Sequence, residues 1–296
     1  MTICAAGINQ PYDSTKAIIA VSDRKFSWGV MSVDAGWKVQ TIHPKWRVMF
    51  AGPLSPLVAL IDAVKSSAAN ADRNSLRSFA RLCSRAYREE REHIIETEIL
   101  AEHDIDSYAE YQALRKSPDR ELFDALTEKI KKQEEEWNLL FIGFDDAGRP
   151  HIFVITEYGK IQYCDAEGFA VIGSGAYNAQ HVLSHSRFNR FMLRGEAAYC
   201  LLAAKFAAES ADGVGETTAF MILKATDRLG RTVPGLNADD IEKIKDEWKA
   251  MPVFPQGAAE RIETVLANHE RELRIKVENP LKGFKRSVSR KSKRVR

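Results

Sequence analysis

Cysteine is scarce: four residues, Cys4, Cys83, Cys164 and Cys200, serve 296 positions, and no two share CxxC spacing. That excludes a disulfide scaffold and the common zinc motifs, and fits free thiols in a reducing cytoplasm. Long apolar runs are missing too. None approaches the ~20 residues a bilayer-spanning helix needs, and no basic segment followed by an apolar stretch opens the chain as in a secretory signal. HExxH, GxxxxGK[ST], GxSxG and GxGxxG are all absent, which removes the usual metalloprotease, nucleotide-phosphate, serine-hydrolase and dinucleotide readings. His181 and His185 are four apart without an evident third ligand, so neither a metal nor any other cofactor is expected.

Charge is present and unevenly placed. The formal net charge is +2, but residues 282–296 hold eight Lys or Arg and no acid, leaving 35 basic against 41 acidic groups in residues 1–281. Nucleic acid or an acidic partner is open to this tail alone, with Phe284 as its one aromatic; a solubilising, partner-free tail is the other reading.

The apolar pattern divides the chain. Residues 2–8 and 17–22 are short runs of small and β-branched residues around a polar, turn-prone segment, which predicts a hairpin. Residues 37–42 and 46–51 repeat the pattern across His43-Pro44. After Gly52-Pro53 the period becomes helical at Leu57, Leu60, Ile61 and Val64. Residues 70–137 are charged and helix-prone, with an apolar stripe at Leu76, Phe79, Leu82 and Cys83 and a helix start at Ser117-Pro118-Asp119. Strand character returns at 138–144, 151–156 and 160–163. A glycine-rich break, GSGAYNA, then precedes Val182-Leu183, an alanine-rich buried helix at 195–209 and a strand at 216–224. Two more helices are expected over 237–276, with Asn237 or Asp239 as caps. Strands, helices, strands, helix, strand is an α+β order: two antiparallel sheets between helical layers, a four-layer αββα sandwich.

One chemistry stands out. Thr2 follows Met1, and a small second residue permits methionine removal. A freed Thr2 would combine a hydroxyl nucleophile with an α-amine of pKa ~7.7–8.0, basic enough to take the hydroxyl proton yet partly neutral at pH 7. A threonine at position 2 is otherwise ordinary. The surrounding sequence carries the reading further: Thr2-Ile3-Cys4-Ala5, Val21-Ser22-Asp23-Arg24-Lys25, Gly29, Lys38-Val39 and Met49-Phe50-Ala51-Gly52 in the first half. In the second half stand LLFIGFDDAGRPHIFVIT, Phe169 to Ala176, and GEAAYCLLAAKFAAE. In this order and spacing, over roughly 2–64 and 138–224, they resemble the proteasome β-subunit family, which includes bacterial proteasome homologues and belongs to the N-terminal-nucleophile hydrolases.

The resemblance implies a threonine-type endopeptidase and gives the residues roles. Thr2 matches the nucleophile, Lys38 the buried lysine that lowers its proton affinity, and Asp23 the acid that pairs with that lysine. Gly52 matches the oxyanion donor through its backbone N–H. Ser27 matches a residue whose backbone pairs with an extended polypeptide substrate. Phe50 falls at the floor of the first specificity pocket, which should then be shallow or blocked. Ser174 matches the serine near the threonine amine, though GSG also suits a plain tight turn. Where the family has an Asp and a Ser that organise the amine, this chain offers Glu209 and Asp212, a departure from the pattern.

Implied domains are a proteasome-like domain over 1–225 with an enlarged helical segment at 65–137, a C-terminal helical extension over 226–278, and a basic, disordered tail over 279–296. A cytoplasmic homo-oligomer, ring or open spiral, follows from the resemblance, which also allows an unfoldase partner; the lack of a long apolar run leaves no membrane partner expected. Two alternatives stay open. The Glu209/Asp212 departure and the tail favour a noncatalytic scaffold or nucleic-acid-associated member. The superfamily also contains small-molecule amidases, against which the spacing of Asp23, Lys38 and Gly52 argues.

Overall fold

The strands, in chain order, are β1 (Cys4–Asn9), β2 (Ala17–Asp23), β3 (Lys25–Trp28), β4 (Met31–Asp34), β5 (Val39–His43) and β6 (Trp46–Ala51), followed after the central helices by β7 (Asn138–Phe144), β8 (Pro150–Thr156), β9 (Lys160–Tyr163), β10 (Phe169–Ile172), β11 (Thr218–Lys224) and β12 (Val233–Pro234). They build one sheet of order β10-β1-β2-β11-β12, a second of order β5-β6-β7-β8-β9, and a separate β3-β4 ribbon. The coordinates come from a computed structural model that describes residues 2–12, 15–28, 31–34, 38–69, 75–116, 120–134, 137–225, 233–234, 236–250 and 260–268, the side chains of 26–28, 31–34, 133–134 and 233–234 excepted.

Strand alternation explains the layering. In β1 and β2, Cys4, Ala6, Ile8, Ile18 and Ala20 face the second sheet and meet Met49, Ala51, Leu140 and Ile142. The alternate residues Ala5, Ala17, Ile19 and Val21 face helices. Both faces are buried, which is why these strands read as unbroken apolar runs rather than as half-buried alternations. The expected hairpin is in register from Cys4↔Ser22 to Asn9↔Ala17.

Helices α1 (Leu54–Ala68) and α2 (Leu76–Ile95) cover the second sheet, where Leu57, Leu60, Val64, Phe79 and Tyr87 pack with Val48, Phe141 and Phe153. Ser75 caps α2 by accepting from the Ser78 N–H, relieving one orphan donor of the first turn. A π-helical turn at Glu96–Leu100 leads to α3 (Tyr108–Leu114) and α4 (Arg120–Glu134). These form their own apolar cluster around Ile99, Tyr111, Leu126 and Ile130. The expected helix start at 117–119 lies outside the described residues.

The first sheet is covered by α5 (Ala176–His185), α6 (Arg194–Ala208) and α7 (Ala238–Ala250), with Ile262 and Leu266 of a helix at 260–268 in the same core. Alanines at 197, 198, 203 and 204 let α6 lie close on β1 and β2. Asn237 caps α7, its side-chain oxygen accepting from the Asp240 N–H at 2.8 Å. The outcome is the four-layer αββα sandwich. The break before Val182-Leu183 is shorter than expected: only Gly173-Ser174-Gly175 form the turn, and α5 already begins at Ala176, with Leu183 in the core. All four cysteines are buried and unbridged. Among the described residues, no helix is long and apolar enough to cross a membrane. The 282–296 tail lies outside the described residues.

Candidate active site

Thr2 sits just before β1, at the end of the cleft between the sheets. Asp23 ends β2, and hairpin pairing brings it alongside: the Asp23 N–H donates to the Ile3 carbonyl at 3.2 Å. Lys38 precedes β5 in the opposing sheet. All three side chains are buried. The Lys38 ammonium contacts both Asp23 oxygens, at 2.8 and 2.9 Å, and also donates to Thr2 Oγ1. The Thr2 hydroxyl in turn donates to Asp23 Oδ1.

Asp23 is held from several sides. Its Oδ1 accepts from the Ile3 N–H at 2.9 Å, and its Oδ2 accepts from the N–H groups of Lys25 and Gly215, each at 3.2 Å. A buried carboxylate is tolerable only with such a set of donors and a cation. A cation beside a hydroxyl favours the ionised oxygen, so the geometry lowers the cost of making Oγ1 a nucleophile.

The backbone of Thr2 is fixed by the turn after β10. Thr2 N donates to Ser174 Oγ at 3.2 Å, and its carbonyl accepts from Ser174 Oγ and from the Gly175 N–H, both at 3.4 Å. Gly173 has φ of +102°, and a Cβ there would stand 2.2 Å from the Thr2 carbonyl oxygen. Only glycine allows this approach. The GSG segment is therefore both a tight turn and a cradle for Thr2.

A cavity of about 790 Å³ opens beside Thr2, with Gly52, Asn138, Glu167, Gly173 and Ser174 among its lining residues. Gly52 thus shares a cavity wall with Thr2. Cys4, the first residue of β1, donates a hydrogen bond from its thiol to the Phe50 carbonyl at 3.4 Å. Burial pushes that thiol up to about 12, the nearby Lys38 opposing and Asp23 adding to the rise. Cys4 is therefore a packed neighbour of the site, its thiol kept protonated.

Three expectations meet a different geometry. Phe50 does not floor the cavity: Met49 and Ala51 face the space between the sheets, and alternation sends Phe50 to the other face, into the core beneath α1 and α2. Glu209 is not aimed at the Thr2 amine; its carboxylate lies between the ammonium groups of Lys205 and Lys245. Asp212 is exposed in the turn that follows α6. Ser27 lies in β3 opposite Ser32, and its side chain is outside what the structure describes. Gly173 and Gly175 belong to the turn the sequence marks, but the sequence assigns no role to them or to Gly215, whose backbones lie against Thr2 and Asp23. Their only sequence signal was glycine in two short turns.

A scan against protein-family models finds no match, and a search of curated proteins finds none either. Among solved structures the chain is similar to the Anbu (Gly-1) mutant from Hyphomicrobium sp. strain MC1, with a TM-score of 0.56 and 18% identity, over 86% of this chain and 98% of that one. The two chains share a fold. At this identity the likeness speaks to the architecture alone, with Thr2, Asp23 and Lys38 argued from their own geometry.

Proposed function

We propose that this chain is a threonine-type peptidase of the proteasome β-subunit kind, active once Met1 is removed. The observation that carries the reading is the Thr2 hydroxyl, held in one buried cluster with the Lys38 ammonium and the Asp23 carboxylate. In this mechanism the freed α-amine takes the Oγ1 proton, directly or through a water, while Oγ1 attacks the scissile carbonyl. The Gly52 N–H stabilises the oxyanion of the tetrahedral intermediate. Collapse expels the amine product, protonated by the α-ammonium, and leaves an acyl ester on Thr2. Water, deprotonated by the same α-amine, then cleaves the ester and restores the hydroxyl.

The substrate in this reading is an extended polypeptide lying along the cavity and pairing with the main chain at Ser27. With Phe50 turned into the helix-facing core, the first specificity pocket is not closed by that ring. Unregulated peptidase sites are hazardous in a cytoplasm, and the reading includes enclosure by self-assembly, symmetric association of identical chains being the usual route.

A noncatalytic reading draws on one observation: Glu209 is taken up by two lysines and Asp212 faces solvent, so neither stands as an amine-organising pair. Thr2→Ala decides between the two. On peptide-amide reporters the peptidase reading expects turnover below ~1% of wild type, because losing a covalent nucleophile costs several kcal/mol of barrier. Equal turnover in wild type and variant, or none in a wild type shown to have lost Met1, contradicts it.

A further inference from the structure

Behind Asp23 lies a second buried cation that the mechanism does not use. Lys205, on α6, is fully buried. Its ammonium is paired with Glu209 one helical turn on and donates to the Glu216 carbonyl at 2.6 Å. Glu209 also accepts from Lys245 of α7 at 2.8 Å, and Lys245 approaches the exposed Glu216 carboxylate at 4.0 Å.

The residue before Glu216 is Gly215, whose N–H donates to Asp23 Oδ2. One short turn is thus gripped at both ends, by Asp23 on its N–H and by Lys205 on the following carbonyl. The fit is tight: a Cβ on Gly215 would come within 2.6 Å of Lys25 Cβ and 3.3 Å of Asp23 Oδ2. Lys205 also feels Asp23 electrostatically, though burial outweighs this and leaves its ammonium easier to deprotonate than an exposed lysine. Removing the Lys205 side chain frees the Glu216 carbonyl, loosens the turn and takes a positive charge from behind Asp23.

We infer that Lys205 is a positioning residue: by holding the Glu216 carbonyl it presses the Gly215 N–H onto Asp23 and so orients the carboxylate that orders Lys38 and Thr2. This rests on the proposed peptidase mechanism for its consequence, but not for its geometry. The competing explanation is that Lys205 only ties α7 to α6. Lys245 separates the two, since it joins Glu209 to α7 without touching the Glu216 carbonyl within hydrogen-bond distance.

The test uses the full chain, labelled with ¹⁵N-glycine, as wild type, Lys205→Met, Lys205→Arg, Lys245→Met and the double variant Lys205→Met/Glu209→Met, which removes a buried charge pair together and keeps the side-chain volume. Two quantities are read: the Gly215 amide proton shift, and the pH profile of Thr2 acylation by a β-lactone, followed by intact mass. In Lys205→Met, and in the double variant should the single one not fold, the Gly215 amide moves upfield as its hydrogen bond lengthens. The low-pH limb of acylation moves up by about half a unit or more, because loss of a nearby cation makes protonation of the Thr2 α-amine, the base of the proposed mechanism, less costly. Lys205→Arg returns both toward wild type, whereas Lys245→Met lowers Tm and leaves both in place. An unmoved Gly215 amide in Lys205→Met and in the double variant overturns the inference, as does an unmoved limb in those variants once acylated. A wild type that is never acylated counts against the peptidase reading alone, and the Gly215 amide still decides the role of Lys205.

Discussion

Lys38 and Asp23 form a bidentate ion pair, Nζ 2.8 Å from Oδ1 and 2.9 Å from Oδ2, with both side chains shut off from water. Two charges so buried are held for their mutual compensation, and Thr2 Oγ1 lies against both partners. The pair therefore links the stability of the sandwich to the chemistry at its edge.

Breaking one half of the pair should be expensive. Lys38→Met leaves the Asp23 carboxylate buried without its cation, at a cost of about 3–5 kcal/mol. Urea unfolding measures it, and Asp23→Asn combined with Lys38→Met should recover most of the loss. A Lys38→Met protein as stable as wild type would mean that water reaches Asp23.

Gly173→Ala should displace Thr2 rather than merely strain a turn. The added methyl would fall 2.2 Å from the Thr2 carbonyl oxygen, on a backbone at φ +102°. We expect Thr2 acylation by a β-lactone to fall at least tenfold, since misplacement by about an ångström costs on the order of 10²-fold. Unchanged acylation would show that the cradle yields without moving the nucleophile.

Glu209 and Asp212, equivalent in the sequence reading, should part company in stability. Glu209→Ala strips the acid from between two buried lysines, a change in the class that costs about 3–5 kcal/mol. Asp212→Ala alters an exposed turn and should stay within about 0.5 kcal/mol. Denaturant midpoints of the two variants provide the comparison.

What was legible in the sequence follows from which signals are local. The β1–β2 and β5–β6 hairpins, and α1, α2 and α6, declared themselves because apolar runs and helical periods report burial directly. The β3–β4 ribbon did not, since Lys25–Trp28 and Met31–Asp34 mix charged, polar and aromatic residues without an apolar run. β10 is only four residues long and sits among glycines, and α5 was hidden behind the same glycine-rich turn. Within the site, Thr2, Asp23, Lys38, Gly52 and Ser174 are all legible from the resemblance; Thr2, Gly52 and Ser174 line one cavity, while Asp23 and Lys38 are buried against Thr2. The direction of Phe50 follows from strand parity with Met49 and Ala51, against the pocket floor that the resemblance implies. The partners of Glu209 were beyond reach, because Lys245 arrives from a helix 36 residues further along the chain.

A half-buried titrating group lies away from the site. His151 Nδ1 is 2.7 Å from Asp165 and its Nε2 is 3.4 Å from Asp145, while Arg149 pairs with Asp145 and the Trp46 ring stacks alongside. Burial opposes a charged ring, but the two carboxylates outweigh it and raise the His151 pKa above the ordinary value. A raised pKa in the folded state stabilises fully below the unfolded value of about 6.5 and is lost as pH rises through the folded one. The Tm advantage of wild type over His151→Gln should therefore be greatest in mild acid and shrink with rising pH. A difference that is flat across that range would show the ring to be neutral throughout.

The central claim, that Thr2 becomes an N-terminal nucleophile, is tested most directly by mass spectrometry of the N-terminal peptide after exposure of the purified protein to a threonine-acylating β-lactone. The account predicts a chain that begins at Thr2 and carries one adduct on that residue, absent from Lys38→Met. Retention of Met1, or a free Thr2 that stays unmodified while the probe reacts elsewhere, would contradict it.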